Sequence, residues 1–254
     1  MTDLTAPAPA PAPAIEPKPN PFARMIGVLF SPDPTFGSIA RRPDWVVPLM
    51  LFIVVGYIST ALILPRMDWG AIAAMQEEQI KAKNPNMSQD DLDRMSRMSA
   101  AAGKVFGWIA PLMGVIWYLI VALVLWLAFR LFGGEGTFKQ AWSTTLYAWV
   151  PLFINGIILT IVAVLRGGLV NPMEMATLVK SNPAFLVDLK AQPVLYALLS
   201  SFDVFTIWTV VLLIIGFAIV SRVSKTKAAA IVIPLWVVCI LFKLIGPAMQ
   251  SLRK

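Results

Sequence analysis

Five stretches of this chain carry almost no charge for about twenty residues or more, and that feature restricts it to very few folds. They run from Trp45 to Leu64, Val105 to Phe132, Thr145 to Leu165, Leu195 to Ser221 and Ala228 to Met249. A helix rises about 1.5 Å per residue, so each stretch can cross a hydrocarbon layer about 30 Å thick. In lipid every backbone N–H and C=O must find a partner, and a helix supplies those partners within one segment. The chain therefore reads as all-α: a polytopic membrane protein, a bundle of five transmembrane helices with short interfacial helices beside it. The second and fourth stretches are long enough to tilt or to reach the headgroups.

Composition supports this reading. Of the 254 residues, 58% are hydrophobic and 14% are charged, with a mean hydropathy of +0.74. A soluble domain is about a quarter charged, and too little polar chain remains here to cover five apolar helices in water. The net charge of +7 would suggest a nucleic-acid partner in a soluble protein. In this chain it belongs to loops facing anionic lipid, so the expected partner is the bilayer and no nucleic acid. The sequence names no protein partner and no state of self-association.

The chemistry open to the chain is narrow. It has no His, the side chain most used for acid–base work and metal binding. Cys239 is its one Cys, which excludes an intrachain disulfide and any CxxC site. The Gly133–Gly136 turn lacks the Walker pattern, and the methionines between Pro65 and Gly103 lack His or Cys support for a metal. No enzyme and no cofactor is expected.

Organisation follows from where the polar residues fall. Residues 1–20 hold an Ala-Pro alternation that favours a solvated, disordered arm, with no signal-peptide core and hence an uncleaved N-terminus. Residues 21–44 form an interfacial amphipathic segment. Phe22, Met25, Ile26 and Leu29 recur at helical spacing with Arg24 on the opposite face, and Ser31 or Asp33 is placed to cap a second helix from Pro34. Arg24, Arg41, Arg42 and Trp45 are the candidate interfacial anchor. Residues 45–249 are the five-span domain, and 250–254 a short tail. Ser88 with Asp91, and Thr137 with Gln140, have capping-box spacing.

Five crossings put the termini on opposite sides. Arg41 and Arg42, then Arg130 and Lys139, then Arg222, Lys225 and Lys227 fall in segments that share one face. Their density in short connections predicts a cytoplasmic N-terminus and an extracytoplasmic C-terminus.

Three polar residues inside the apolar runs form the candidate intramembrane contact. Asp203 lies about 12 Å into the fourth run and Lys243 about 9 Å from the end of the fifth, both measured from the same face. An ion pair between them is expected, with Asn155 joining by a hydrogen bond across helices. The alternative is a transporter or channel component with these three residues around a polar site. Ser200 and Ser201 stand beside Asp203, and with no His their one candidate base is Lys243 in a Ser–Lys dyad.

Three segments carry a resemblance: FARMIGVLFSPDPTFGSIARRPDWVVPL from Phe22, WLAFRLFGGEGTFKQAWSTTLYAWVP from Trp126, and LYALLSSFDVFTIWTVVLLIIGFAIVSRVSKTKAAAIV from Leu195. Together they resemble bacterial members of the Yip-one family, the Ypt/Rab-interacting membrane proteins, over roughly residues 22 to 249. The resemblance implies five transmembrane helices, a cytosolic N-terminus, an inner-membrane location and a role in membrane organisation or trafficking-like scaffolding through lipid or protein contacts. The family's DLYGP signature is echoed only by Asp44, Pro48 and Leu49, with Trp45, Val46 and Val47 between.

Overall fold

A computed structural model describes residues 20–171, 175–189 and 191–251. The Ala/Pro arm, apart from Asn20, lies outside the described residues, as do 252–254 of the tail. Among the described residues the chain is built from helices, and its one β contact is an isolated bridge between Met67 and Val170.

Two short helices open the structure. α1 (Pro21–Phe30) begins at Asn20, whose side chain accepts the Phe22 N–H, and α2 (Pro32–Arg41) begins one residue after α1 ends. Proline in the first turn suits both, because that N–H has no partner in a helix. α2 starts at Pro32 rather than Pro34, and Ser31 stands at its N-cap without a side-chain bond.

Next come α3 (Val46–Ile63), α4 (Trp69–Lys83) and α5 (Gln89–Leu131). α5 has 43 residues, a length of about 65 Å, about twice the hydrocarbon thickness. Ser88 caps it, and its first part packs beside α4 as a hairpin before the apolar part begins. Pro111 sits inside α5 and packs against Gly56 of α3.

The centre of the bundle is α6 (Phe138–Ala148), which is buried on every face from Ala141 to Ala148. A break at Trp149 leads into α7 (Val150–Arg166), and the two together form one span. After a connection containing the short α8 (Met175–Leu178), α9 (Pro193–Leu199) and α10 (Val204–Val220) follow, bent by 49° across residues 200–203. α11 (Lys225–Ser251) closes the chain. Among the described residues four helices are long and apolar enough to span a membrane, and five when the bent pair counts as one span.

α2 inserts against α6 and α10, with Phe36 and Ile39 fully buried. Stacked and edge-on rings tie the spans together: Phe129 on Phe217, Phe52 on Phe153 and Tyr118 on Trp149. The packing sorts the connections into two ends. At one end, α1 and α2 meet the turns at 133–137 and 221–225, where the Glu135 N–H donates to Ser221 O, Arg222 pairs with Glu135, and Lys225 pairs with Asp33. The α4–α5 hairpin, the 167–193 connection and the C-terminal part of α11 lie at the other.

Candidate functional site

The two groups of polar residues that stand out in the sequence occupy opposite ends of the bundle. At the end with α1 and α2, Arg24 is not at the surface. It is 5% exposed, because its side of α1 packs against α2, α3, α6 and α7 rather than a single partner. One guanidinium nitrogen, Nη1, donates to Asp44 Oδ1 at 2.5 Å and to Arg42 O at 2.9 Å. The other, Nη2, donates to Ser38 O and Ser38 Oγ at 2.9 and 2.8 Å. Tyr147, from the centre of the bundle, donates its hydroxyl to Asp44 Oδ1 at 3.0 Å. A planar guanidinium with five donors can fix several acceptors at once, and here it locks α1, the end of α2 and the entry to α3 into one body.

Of the expected anchor residues, Arg24 is thus a buried clamp. Arg41 and Arg42 are exposed, and Trp45 is partly buried with its ring 6.5 Å from that of Trp142. Tyr147 is the partner that sequence reasoning missed. Its signal was a lone Tyr in the polar stretch STTLY at the head of an apolar run.

At the opposite end, Asp203, Lys243 and Asn155 line one cavity of about 470 Å³ between α7, α9, α10, α11 and the 171–193 connection. The direct ion pair between Asp203 and Lys243 does not form. The fourth apolar run is broken at 200–203, and this puts Asp203 at the N-cap of α10. There Oδ1 accepts the N–H groups of Phe205 and Thr206 at 2.9 and 3.3 Å, and Oδ2 accepts the hydroxyl of Ser181. An Asp at an N-cap satisfies helix donors that would otherwise lie unpaired.

Lys243 turns instead to hydroxyls, donating from Nζ to Ser200 Oγ at 2.8 Å and to Ser201 Oγ at 3.2 Å. Asn155 makes no bond across helices through its oxygen, since Oδ1 is buried without a partner. The Tyr196 hydroxyl, on another wall of the cavity, is in the same condition. A helix-to-helix polar bond also joins Thr160 of α7 to Ser59 of α3 at 3.0 Å, from hydroxyls that sequence reading passed over.

The Ser200–Lys243 contact has the atoms of a Ser–Lys dyad, but its surroundings differ from those of a hydrolase. Ser200 Oγ donates to Ala197 O, and the N–H groups of Ser200, Ser201 and Phe202 already donate to Tyr196, Leu198 and Leu199 carbonyls. These backbone donors are therefore not free to hold an oxyanion. The geometry favours binding through hydroxyl, amide and ammonium groups over activation of a nucleophile.

Comparison with known proteins places this architecture. The chain is similar to the membrane protein YknW of Bacillus subtilis (strain 168), at 25% identity over 234 residues, 89% of this chain and 91% of the relative. No solved structure matches it. The Yip1 domain pattern matches residues 26–245, which takes in the Arg24 clamp's partners, all but the end of the last span, and Asn155, Asp203 and Lys243, and by that match the chain belongs to the Yip1 family of membrane proteins.

Proposed function

We propose that this protein is a non-enzymatic component of the bacterial inner membrane that organises the bilayer by lipid contact, in the manner of a scaffold. The observation that carries this reading is the outer face of α1. Phe22, Ile26 and Phe30 are 54%, 61% and 78% exposed, on a helix that the Arg24 clamp fixes to the bundle. An apolar stripe held rigidly beside the basic residues Arg41, Arg42 and Lys139 suits insertion among anionic headgroups. The basic end is assigned to the cytoplasm and the C-terminus to the outside, on the density of Lys and Arg there.

Reconstitution tests the reading. Vesicles containing the protein should change size and curvature relative to empty vesicles. The triple substitution Phe22→Ser, Ile26→Ser, Phe30→Ser should abolish the change at equal protein incorporation. Unaltered remodelling by that variant would remove lipid contact through α1 as the basis of function. Alkaline phosphatase fused to the C-terminus should be active in cells, and activity only from N-terminal fusions would invert the topology.

A second reading, a transporter or channel component, is favoured by the gathering of Asn155, Asp203 and Lys243 on one cavity beside a broken span. Interrupted helices frame the binding sites of many transporters. Solute flux into liposomes that disappears with Asp203→Asn would select this reading over the scaffold.

A further inference from the structure

The cavity at the α9–α10 break brings opposite charges to one space and leaves part of their hydrogen-bonding capacity unused. Among the described residues it is lined by one cation, Lys243, and one anion, Asp203, which share the space without pairing. Two opposite charges that line one space attract each other, and a direct pair is the simplest way to satisfy both. Here each is held by neutral groups instead. Lys243 is steadied by the Ser200 and Ser201 hydroxyls, which leave one of its three ammonium donors unused. Asp203 accepts from two backbone N–H groups and the Ser181 hydroxyl, three of the about four bonds a carboxylate can take.

The same cavity contains two polar atoms without partners, Asn155 Oδ1 and the hydroxyl of Tyr196, a residue only 8% exposed. Both atoms belong to residues of the cavity wall, which therefore carries polar groups with hydrogen-bonding capacity to spare. The volume of about 470 Å³ falls in the range of small-molecule sites, about 300–1,000 Å³. Such a space accepts a headgroup with its glycerol.

We infer that this cavity binds a zwitterion carrying a primary ammonium and a phosphate, the headgroup chemistry of phosphatidylethanolamine. The phosphate takes the free donor of Lys243, the ammonium takes the remaining acceptor position of Asp203, and the ester and glycerol oxygens and the ammonium protons complete Tyr196 and Asn155. A ligand of single charge fits poorly, since an anion alone meets Asp203 and a cation alone meets Lys243. The inference rests on the reading of the protein as acting through lipid contact and gives that contact a second, stereospecific address.

The test uses the full chain in detergent, titrated by calorimetry with dihexanoyl phosphatidylethanolamine, with dihexanoyl phosphatidylglycerol as the singly charged comparison, and with glycerophosphoethanolamine as the headgroup free of acyl chains. Phosphatidylethanolamine should bind at least tenfold more tightly than phosphatidylglycerol. Loss of a charged hydrogen bond predicts a weakening of about tenfold or more in Lys243→Met, and loss of a neutral one about fivefold in Tyr196→Phe, which removes a single oxygen. Binding of glycerophosphoethanolamine as tight as that of the lipid identifies a free zwitterion as the ligand and keeps the site. Equal binding of the two lipids, or of the native protein and Tyr196→Phe and Lys243→Met, overturns it. If those titrations fail while vesicle remodelling still depends on Phe22, Ile26 and Phe30, the headgroup site falls and the lipid-contact reading stands. If remodelling does not depend on them while the titrations succeed, the outcome is reversed.

Discussion

Arg24 shows how much depends on one side chain. A helical wheel of α1 sets it opposite the apolar stripe, and such a position in a surface helix is solvated. In the folded chain that same side faces Ser38, Arg42 and Asp44. The face rule assumes one packing partner, and α1 has several, which is why the charge was legible in the sequence and its burial was not. Removing one member of a buried ion pair costs about 3–5 kcal/mol, because the other is left uncompensated. Asp44→Ala should therefore lower the midpoint of thermal unfolding in detergent sharply, and Tyr147→Phe, which loses one bond to the Asp44 carboxylate, by about 1.5–3 kcal/mol equivalent.

A milder case is Glu77, near the tip of the α4–α5 hairpin. The hydrogen bonds from Lys81 and Gln89, with the charge of Lys81, hold its carboxyl below the ordinary value of 4.5. A depressed carboxylate stabilises the fold above its unfolded value, and that contribution is lost as the pH falls through the folded one. Amide hydrogen exchange in α4 should thus accelerate, relative to the bundle, below about pH 4.5, and Glu77→Gln should abolish that dependence.

At the scale of elements, local chemistry was read most faithfully where it is self-contained. The Thr137–Gln140 capping box is present in both directions, and Ser88 caps α5. What the sequence concealed is where tertiary packing extends or interrupts an apolar run. α6 carries Ser143, Thr144 and Thr145, which look like a polar lead-in to a span, yet it is buried on all sides. The run from Leu195 to Ser221 looks continuous, yet it stops at Leu199 and restarts at Val204, because Asp203 offers the backbone a cap in the middle of it.

Close packing also depends on a glycine whose role no motif announced. A Cβ on Gly216 of α10 would lie 2.6 Å from a Thr144 methyl and 2.9 Å from the Phe36 ring, so α2, α6 and α10 meet at this point. Gly216→Ala should destabilise the protein by about 1–3 kcal/mol through overpacking. Gly156→Ala, with nothing within 4 Å of the new atom, should be neutral or stabilise α7 by up to about 1 kcal/mol. Parallel chemical denaturation of the two variants in one detergent separates these outcomes.

The whole molecule was legible in outline, since run length and charge alone give a helical bundle in lipid, and the Yip1 match agrees with the family resemblance. The basic residues Arg41, Arg42, Arg130, Lys139, Arg222, Lys225 and Lys227, scattered through the sequence, are brought to one end by the same up-and-down path. The cavity at the other end was visible only as three isolated polar residues. Its walls come from four helices and a connection whose mutual positions no local pattern encodes.

One dimension of the broken span reaches beyond the protein itself. With 17 residues, α10 measures about 25 Å, less than the about 30 Å of an average hydrocarbon core. A thin bilayer therefore leaves Ser200, Ser201 and Asp203 level with hydrated headgroups, whereas a thick one draws them into oil. Acyl-chain length becomes a control on this end of the molecule. In reconstitutions graded from short to long lipids, accessibility of a probe at residue 202 to water-soluble quenchers should fall steadily, while one at residue 222, at the opposite end, should hardly change.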